Sequence, residues 1–129
     1  MSKIRSHRDL QIWQRSMDLA QQIYAASTRF PDSEKFGLTS QIRRASVSVP
    51  SNIAEGYYRN SAKDYAHFLS MARGSLMEVE TQLDLACRFS YLALERFESL
   101  AQEIGEIDRM VSALQSKLRK TSSQLQPGS

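Results

Sequence analysis

Residues 38–56 read LTSQIRRASVSVPSNIAEG, a stretch that places two adjacent arginines and a proline inside an otherwise helical pattern. Its apolar residues recur with the three- and four-residue spacing of one helix face: Leu38, Ile42, Ala45, Val49 and Ile53. Pro50 removes a backbone donor and presses its ring against the carbonyl of Ser46, at a cost of about 3 kcal/mol in a helix interior. The segment therefore predicts a second helix that is either kinked at Pro50 or broken there and restarted. Gly56 fits the end of this helix, where a positive φ is easiest for glycine.

The residues before this stretch predict a first helix, over about 9–28, with more apolar side chains than one core face needs. One seam follows the helical period: Leu10, Trp13, Met17, Ala20, Tyr24 and Ser27. A second set lies beside it: Ile12, Leu19, Ile23 and Ala26. A helix that faces one core needs only about three apolar residues in seven. The surplus indicates a second buried face and hence self-association, although a centrally placed helix in a monomer has the same pattern.

Two further helices follow the proline segment. Ser61 stands three residues before Asp64, the spacing of a helix N-cap, so the third helix begins there. Its seam alternates four and three residues: Tyr65, Leu69, Ala72, Leu76, Val79, Leu83 and Ala86. The fourth helix has its own seam: Phe97, Leu100, Ile104, Ile107, Val111, Leu114 and Leu118. The pattern predicts an all-α, antiparallel up-down-up-down four-helix bundle over 9–121, with an N-terminal arm at 1–8 and a flexible tail at 122–129.

The composition limits the class of protein. A chain of 129 residues is long enough for one domain with a core and too short for two. The single cysteine excludes an intrachain disulfide, and signal-peptide and membrane-spanning runs are absent, so we expect a cytoplasmic protein without a membrane partner. The net charge is +3, yet residues 1–73 carry eleven Lys and Arg against six Asp and Glu, and residues 74–107 carry two against seven. Such asymmetry suits either nucleic acid or the pairing of basic with acidic helices.

Few residues have the spacing that catalysis or metal binding requires. A carboxylate-bridged di-iron bundle needs two Glu-x-x-His pairs, and only Asp64-x-x-His67 comes near that pattern. The five glycines are scattered, so no phosphate-binding loop is predicted. No histidine is placed as the base of a recognisable serine or cysteine nucleophile. We therefore expect a protein that is not an enzyme and needs neither cofactor nor metal.

Charged and amide side chains supply the candidate functional residues. Five are candidates for contact with nucleic acid or with another subunit: Arg43, Arg44, Arg59, Lys63 and Arg73. Four others form a candidate structural polar cluster: Asn52, Glu55, Glu78 and Glu80. If helices two and three pair antiparallel about residue 59, Arg44 lies level with Gly74, about one turn from Glu78 or Glu80. A guanidinium matches carboxylate and phosphate alike, so the two adjacent arginines either join an ion-pair network or bind phosphate.

Several separated motifs carry a family resemblance. They are LQIWQ at 10–14, FP at 30–31 with Glu34, FGL at 36–38, SQIRRA at 40–45, PSNIAEG at 50–56, and Gly74-Ser75 with Glu78, Glu80 and Gln82-Leu83. In this order they resemble the bacterial four-helix bundle proteins encoded in intervening sequences of large-subunit ribosomal RNA genes. The resemblance covers roughly residues 8–92.

The resemblance carries expectations about assembly and partners. It implies a ring-shaped homo-oligomer, pentameric in the known members of the fold, and a ribosomal RNA connection through the location of the genes. A more distant likeness is to the accessory variability protein of diversity-generating retroelements, which partners a reverse transcriptase and nucleic acid. Two hypotheses follow. The protein is an oligomeric module that contacts RNA or DNA through basic surface residues, or it is a scaffold that binds a protein partner such as a reverse transcriptase without binding RNA.

Overall fold

A computed structural model describes residues 3–125, and within that range the chain forms helices and no β-strand. Four α-helices follow one another: α1 at Gln11–Ser27, α2 at Leu38–Tyr57, α3 at Ala62–Arg88 and α4 at Leu94–Leu125. Single 3-10 turns at His7–Asp9 and Asp32–Glu34 precede α1 and α2. The all-α prediction is confirmed for the described residues. None of their helices combines the length and hydropathy needed to cross a membrane.

The helix ends follow from local hydrogen-bonding chemistry. The Ser61 hydroxyl accepts a hydrogen bond from the Asp64 amide at 3.1 Å, so the predicted cap of α3 is confirmed. The first amide of α2, that of Leu38, donates instead to the Glu34 carboxylate at 3.0 Å, which satisfies a donor that the helix leaves without a backbone partner. Helix α4 continues to Leu125. It thus includes residues 122–125, which the sequence predicted to lie in the tail, while 126–129 lie outside the described residues.

A single hydrophobic core joins all four helices. The predicted seams of α3 and α4 supply much of it, since Leu69, Leu76, Leu83, Leu100 and Ile104 are fully buried. Helix α2 contributes the predicted set that includes Ile42, Val49 and Ile53. Helices α2 and α4 each pack against both α1 and α3.

On α1, the two apolar stripes exchange the roles predicted for them. The core stripe is Ile12, Leu19 and Ile23, none of them more than 6% exposed. The stripe predicted as the core seam is only partly buried: Met17 is 40% and Tyr24 43% exposed, whereas Ser27 is buried and Leu10 and Trp13 pack against the edge of the core. Both stripes have helical spacing, so periodicity alone could not decide which of them faces the core.

Helix α2 passes through Pro50 without interruption, so the predicted alternative of a break and restart is wrong. Nearby polar side chains bind carbonyls of the same helix: the Ser48 hydroxyl donates to Arg44 O at 3.0 Å and the Asn52 amide donates to Ser48 O at 2.9 Å. Gly56 lies inside α2, one residue before its end, and not at a positive-φ cap. A Cβ there would lie 2.8 Å from Phe68 Cβ of α3, so this glycine permits close approach of two helices.

Candidate functional site

The two adjacent arginines of α2 have different surroundings. Arg43 turns toward α1, where its Nε donates to the Ser27 hydroxyl at 2.8 Å and its Nη2 to Tyr24 O at 3.3 Å. Its guanidinium carbon lies 4.7 Å from the centroid of the Tyr24 ring, a cation–π distance. Arg44 is exposed and lies beside Glu78 of α3 in the lining of a groove. Within the described residues neither arginine forms an ion pair with a carboxylate of the same chain.

Two more of the predicted basic residues are held by carboxylates. Arg73 joins α3 to α4, because its Nε donates to Asp108 Oδ1 at 2.8 Å and its Nη1 to Gln115 Oε1 at 3.3 Å. The hydrogen bonds to Asp108 raise the pKa of the Arg73 guanidinium above its usual range. Arg59 donates to Glu55 Oε1 at 2.6 Å, within one helical turn. Both arginines therefore have a structural partner.

The predicted polar cluster is not assembled by the fold. Within residues 3–125, the side-chain hydrogen bonds of Asn52 and Glu55 are local, to Ser48 O and from Arg59. Glu78 lines the groove with Arg44, whereas Glu80 lines a different surface, next to Met77 and Asp84. Arg44 shares a groove with Glu78 and Gln82 of α3, and Gly74 is not among the residues that line it.

An ion-pair cluster between α1 and α4 was not predicted. Arg15 donates to Glu103 Oε2 at 2.7 Å and to Glu106 Oε1 at 2.6 Å. The hydrogen bond from Arg15, assisted by one from Gln102, holds the pKa of Glu106 below its ordinary value. These side chains meet across 88 and 91 positions of sequence, and no local motif encodes such a pairing.

An apolar groove lies between α1 and α2 on the outside of the molecule. It has a volume of about 650 Å³ and is lined by Trp13, Met17, Ala20, Gln21, Tyr24, Val47, Pro50, Ser51 and Ala54. The stripe of α1 that the sequence assigned to the core thus forms one wall. We call this feature the apolar groove. Exposed apolar surface of this kind marks sites of protein association.

A second groove, between α2 and α3, is polar. It has a volume of about 570 Å³ and is lined by Phe36, Ser40, Gln41, Arg44, Ala45, Ser48, Glu78 and Gln82. Phe36, at its edge, is 89% exposed. The side-chain oxygen of Gln82 is buried without a hydrogen-bond partner in the described part of the chain. We call this feature the polar groove.

The metal-ligating and titratable side chains of the described residues have distinct surroundings. In residues 3–125 no three of His, Cys, Asp and Glu lie close enough together to hold a metal ion. His67 is exposed on α3, and His7 forms a hydrogen bond with the hydroxyl of Tyr58 at 3.0 Å. The hydroxyl of Tyr65 is buried without a partner among the described residues, and burial raises the pKa of Tyr65 to about 12. It is therefore a poor proton donor or base near neutrality.

Comparison with known proteins places the chain in a family. The family model of the 23S rRNA-intervening sequence protein matches residues 8–113. The chain belongs to this family. The resemblance seen in the sequence is thereby confirmed, and the matched range includes most of α4, beyond the motifs that carried it.

The fold also has a relative among solved structures. A crystal structure at 1.70 Å of a protein with unknown function from the S23 ribosomal protein family of Bacteroides thetaiotaomicron is similar to it, with a TM-score of 0.74 and 26% sequence identity. The similarity covers 80% of this chain and 96% of that protein. No curated protein matches the chain.

Proposed function

We propose that the protein is a non-enzymatic, self-associating four-helix bundle that contacts nucleic acid through one basic end. Membership of the 23S rRNA-intervening sequence family makes RNA the first nucleic acid to test. The observation that supports this most is a pair of contacts between segments distant in sequence: His7 donates to Tyr58, next to the α2–α3 turn, and Gln115 of α4 donates to Ala66 at the start of α3.

The proposed topology is up-down-up-down, with the start of α1, the α2–α3 turn and the end of α4 at one end. Two contacts support an antiparallel α3–α4 pair: Arg73 meets Asp108, and Gln115, later in α4, donates to Ala66 O, earlier in α3. The N-terminal segment is tied to the α2–α3 turn through the backbone amide of His7, which donates to the Tyr58 hydroxyl at 3.3 Å. With the same rise per residue in each helix, residues 117–120 lie beside the first turn of α3.

The end so formed carries mostly positive side chains. Its exposed cations are Lys3, Arg5, Arg8, Arg59, Lys63, Lys117, Arg119 and Lys120. Of its carboxylates, Asp9 is paired with Arg5 and Glu55 with Arg59. We call this the basic end. It would contact phosphates as a sequence-independent electrostatic surface, which suits a domain with a modest net charge of +3.

In the proposed assembly, a second copy of the chain packs into the apolar groove. The same chain offers an apolar counterpart on α3, where Met77 is 44% and Leu85 39% exposed. A groove on one helix pair that receives a strip from another helix is a heterologous contact, and such contacts form a ring when the rotation between neighbouring copies closes and a filament when it does not. The proposed assembly is a ring, and a pentamer is the size that the family resemblance implies.

Phosphate binding is tested by fluorescence anisotropy with a labelled single-stranded RNA over a range of salt concentrations. Replacing both Lys63 and Lys117 by Ala should weaken binding and lower the slope of log K against log salt by about 0.7 per lost contact. Arg29→Ala, at an exposed cation of the α1–α2 connection, is the control and should leave the slope unchanged. Equal slopes for the double variant and the wild-type protein would refute the basic end as the RNA-binding surface.

Self-association is tested by light scattering after size exclusion. Ala20→Arg places a charged side chain in the apolar groove and should yield a smaller species. Ala25→Arg makes the same change on the same helix outside this groove and should leave the assembly intact. A wild-type protein that runs as a 14.7 kDa monomer would refute the proposed assembly.

A second candidate function is a protein-interaction scaffold that does not bind RNA. It is favoured by the fact that Arg43, Arg59 and Arg73, three of the predicted phosphate-binding residues, already have partners in the chain. In that case a protein such as a reverse transcriptase would occupy the apolar surfaces. Absence of salt-dependent RNA binding, together with an intact oligomer, would favour this alternative.

A further inference from the structure

The polar groove between α2 and α3 contains hydrogen-bonding groups that the fold leaves unused. Arg44 and Glu78 line it together, yet they are not paired with each other or with any other charged side chain in residues 3–125. Gln82 also lines the groove, and its side-chain oxygen is buried without a donor among the described residues. A buried acceptor without a partner is rare and costly, so the Gln82 side chain would gain from turning its oxygen toward a donor that enters the groove.

An aromatic ring stands at the edge of the same groove. Phe36 is 89% exposed, the highest value among the exposed large apolar side chains of the described residues. Lys35 lies close to it, with its ammonium 5.5 Å from the ring centroid. An exposed ring next to a cation is the arrangement by which proteins stack an unpaired base and contact its phosphate.

These groups together specify the ligand chemistry. The occupant needs N–H donors for Glu78 and Gln82, acceptors for Arg44, and a flat face for Phe36. Guanine offers all three: N–H donors on its Watson–Crick edge, and O6 and N7 acceptors that arginine binds with both arms of its fork. Adenine lacks the pair of acceptors that suits arginine, and cytosine lacks the adjacent N–H donors that suit a carboxylate.

We propose that the polar groove binds an unpaired guanine of a single-stranded RNA. Glu78 accepts hydrogen bonds from the Watson–Crick edge, Arg44 donates to O6 and N7, and Phe36 stacks on the base. This inference rests on the proposed nucleic-acid function and adds base preference to it, because the basic end by itself recognises only backbone charge. Arg44 lies 13 residues before Tyr57, so the groove lies about 20 Å along α2 from the basic end.

The test measures the affinity of the full-length protein for two labelled 12-nucleotide RNAs, one of adenosine only and one with guanosines at its centre. The wild-type protein should prefer the guanosine RNA by about tenfold or more. Inosine in place of guanosine removes the N2 amine and should abolish most of that preference. Phe36→Ala should weaken binding of the guanosine RNA by about tenfold.

The decisive variant is Glu78→Gln, with Glu80→Gln as its matched control. Both remove one negative charge from α3, so a purely electrostatic site predicts equal, slightly tighter binding of both RNAs by both variants. The proposed site predicts that only Glu78→Gln loses the guanosine preference. Light scattering on each variant monitors the assembly.

The outcomes separate this inference from the function on which it rests. Salt-dependent binding with equal affinity for the two RNAs would overturn the guanine site and leave the basic end standing. A loss of assembly in Glu78→Gln with an unchanged base preference would also overturn it, since the groove would then be a contact between copies. If the wild-type protein binds neither RNA, both proposals are refuted.

Discussion

Two helical glycines should respond to alanine in opposite directions. At Gly56 of α2, an added Cβ would lie 2.8 Å from Phe68 Cβ and 3.1 Å from Tyr65 Cδ1. Cβ atoms do not approach carbon atoms so closely, and Phe68 Cβ is fixed to the backbone of α3, so α2 and α3 must move apart. Overpacking of this kind costs about 1–3 kcal/mol, whereas the gain in helix propensity is only about 0.5–1 kcal/mol. Gly56→Ala should therefore lower the free energy of unfolding by about 0.5–2 kcal/mol.

Gly74 of α3 provides the matched control. It is exposed in the middle of α3, and an added Cβ would have no neighbour within 4 Å. Only the propensity term remains, so Gly74→Ala should raise the free energy of unfolding by about 0.5–1 kcal/mol.

The assay is urea denaturation followed by far-UV circular dichroism at one protein concentration, because the stability of an oligomer depends on concentration. Light scattering establishes that the variants have the same assembly state before their midpoints are compared. A Gly56→Ala variant that is at least as stable as the wild-type protein would refute the close-packing argument. A less stable Gly74→Ala variant with normal assembly would refute the open-site argument.

Two further predictions concern charged groups. Because Arg15 lowers the pKa of Glu106, the ionised carboxylate stabilises the fold above its ordinary pKa of 4.5, and this stability is lost as the pH falls through the lowered value. Glu106→Gln should therefore be less stable than the wild-type protein at pH 7 in thermal melts. A difference in melting temperature that persists at pH 2 would contradict this. Arg43→Ala removes the bond to Ser27 and should cost about 1–2 kcal/mol in urea denaturation. Arg44→Ala should change stability by less than about 0.5 kcal/mol, and equal losses in the two variants would refute the distinction.

The parts of the fold that the sequence predicted are those determined by local chemistry. The α3 seam alternates steps of four and three residues over seven side chains, and each of them from Leu69 to Ala86 is buried. Ser61 was recognisable as a cap because its hydroxyl needs only an amide three residues away. The second helix was also predicted correctly, since its apolar spacing is a local pattern that continues on both sides of Pro50.

Several features that the sequence predicted wrongly or did not predict depend on contacts with another helix. Two stripes of α1 have the same period, and the contact with α2 and α4 decides that Leu19 faces inward and Met17 outward. The partners of Arg15 and Arg73 lie on α4, 35 or more positions away. Gly56 was predicted to be a cap because it is a glycine at the end of the predicted helix. Its close approach to Phe68 depends on how α2 packs against α3, which the sequence did not reveal.

The pair Arg43-Arg44 shows why adjacent charges in a helix cannot be treated as one site. Successive residues are about 100° apart around the axis, so two side chains that adjoin in sequence face different neighbours. Arg43 donates to Ser27 and lies over Tyr24, both on α1, whereas Arg44 faces α3 beside Glu78. The first arginine stabilises the wall of the apolar groove and the second lines the polar groove. A double substitution would therefore alter two surfaces at once, and only single variants can assign a loss of RNA binding to one of them.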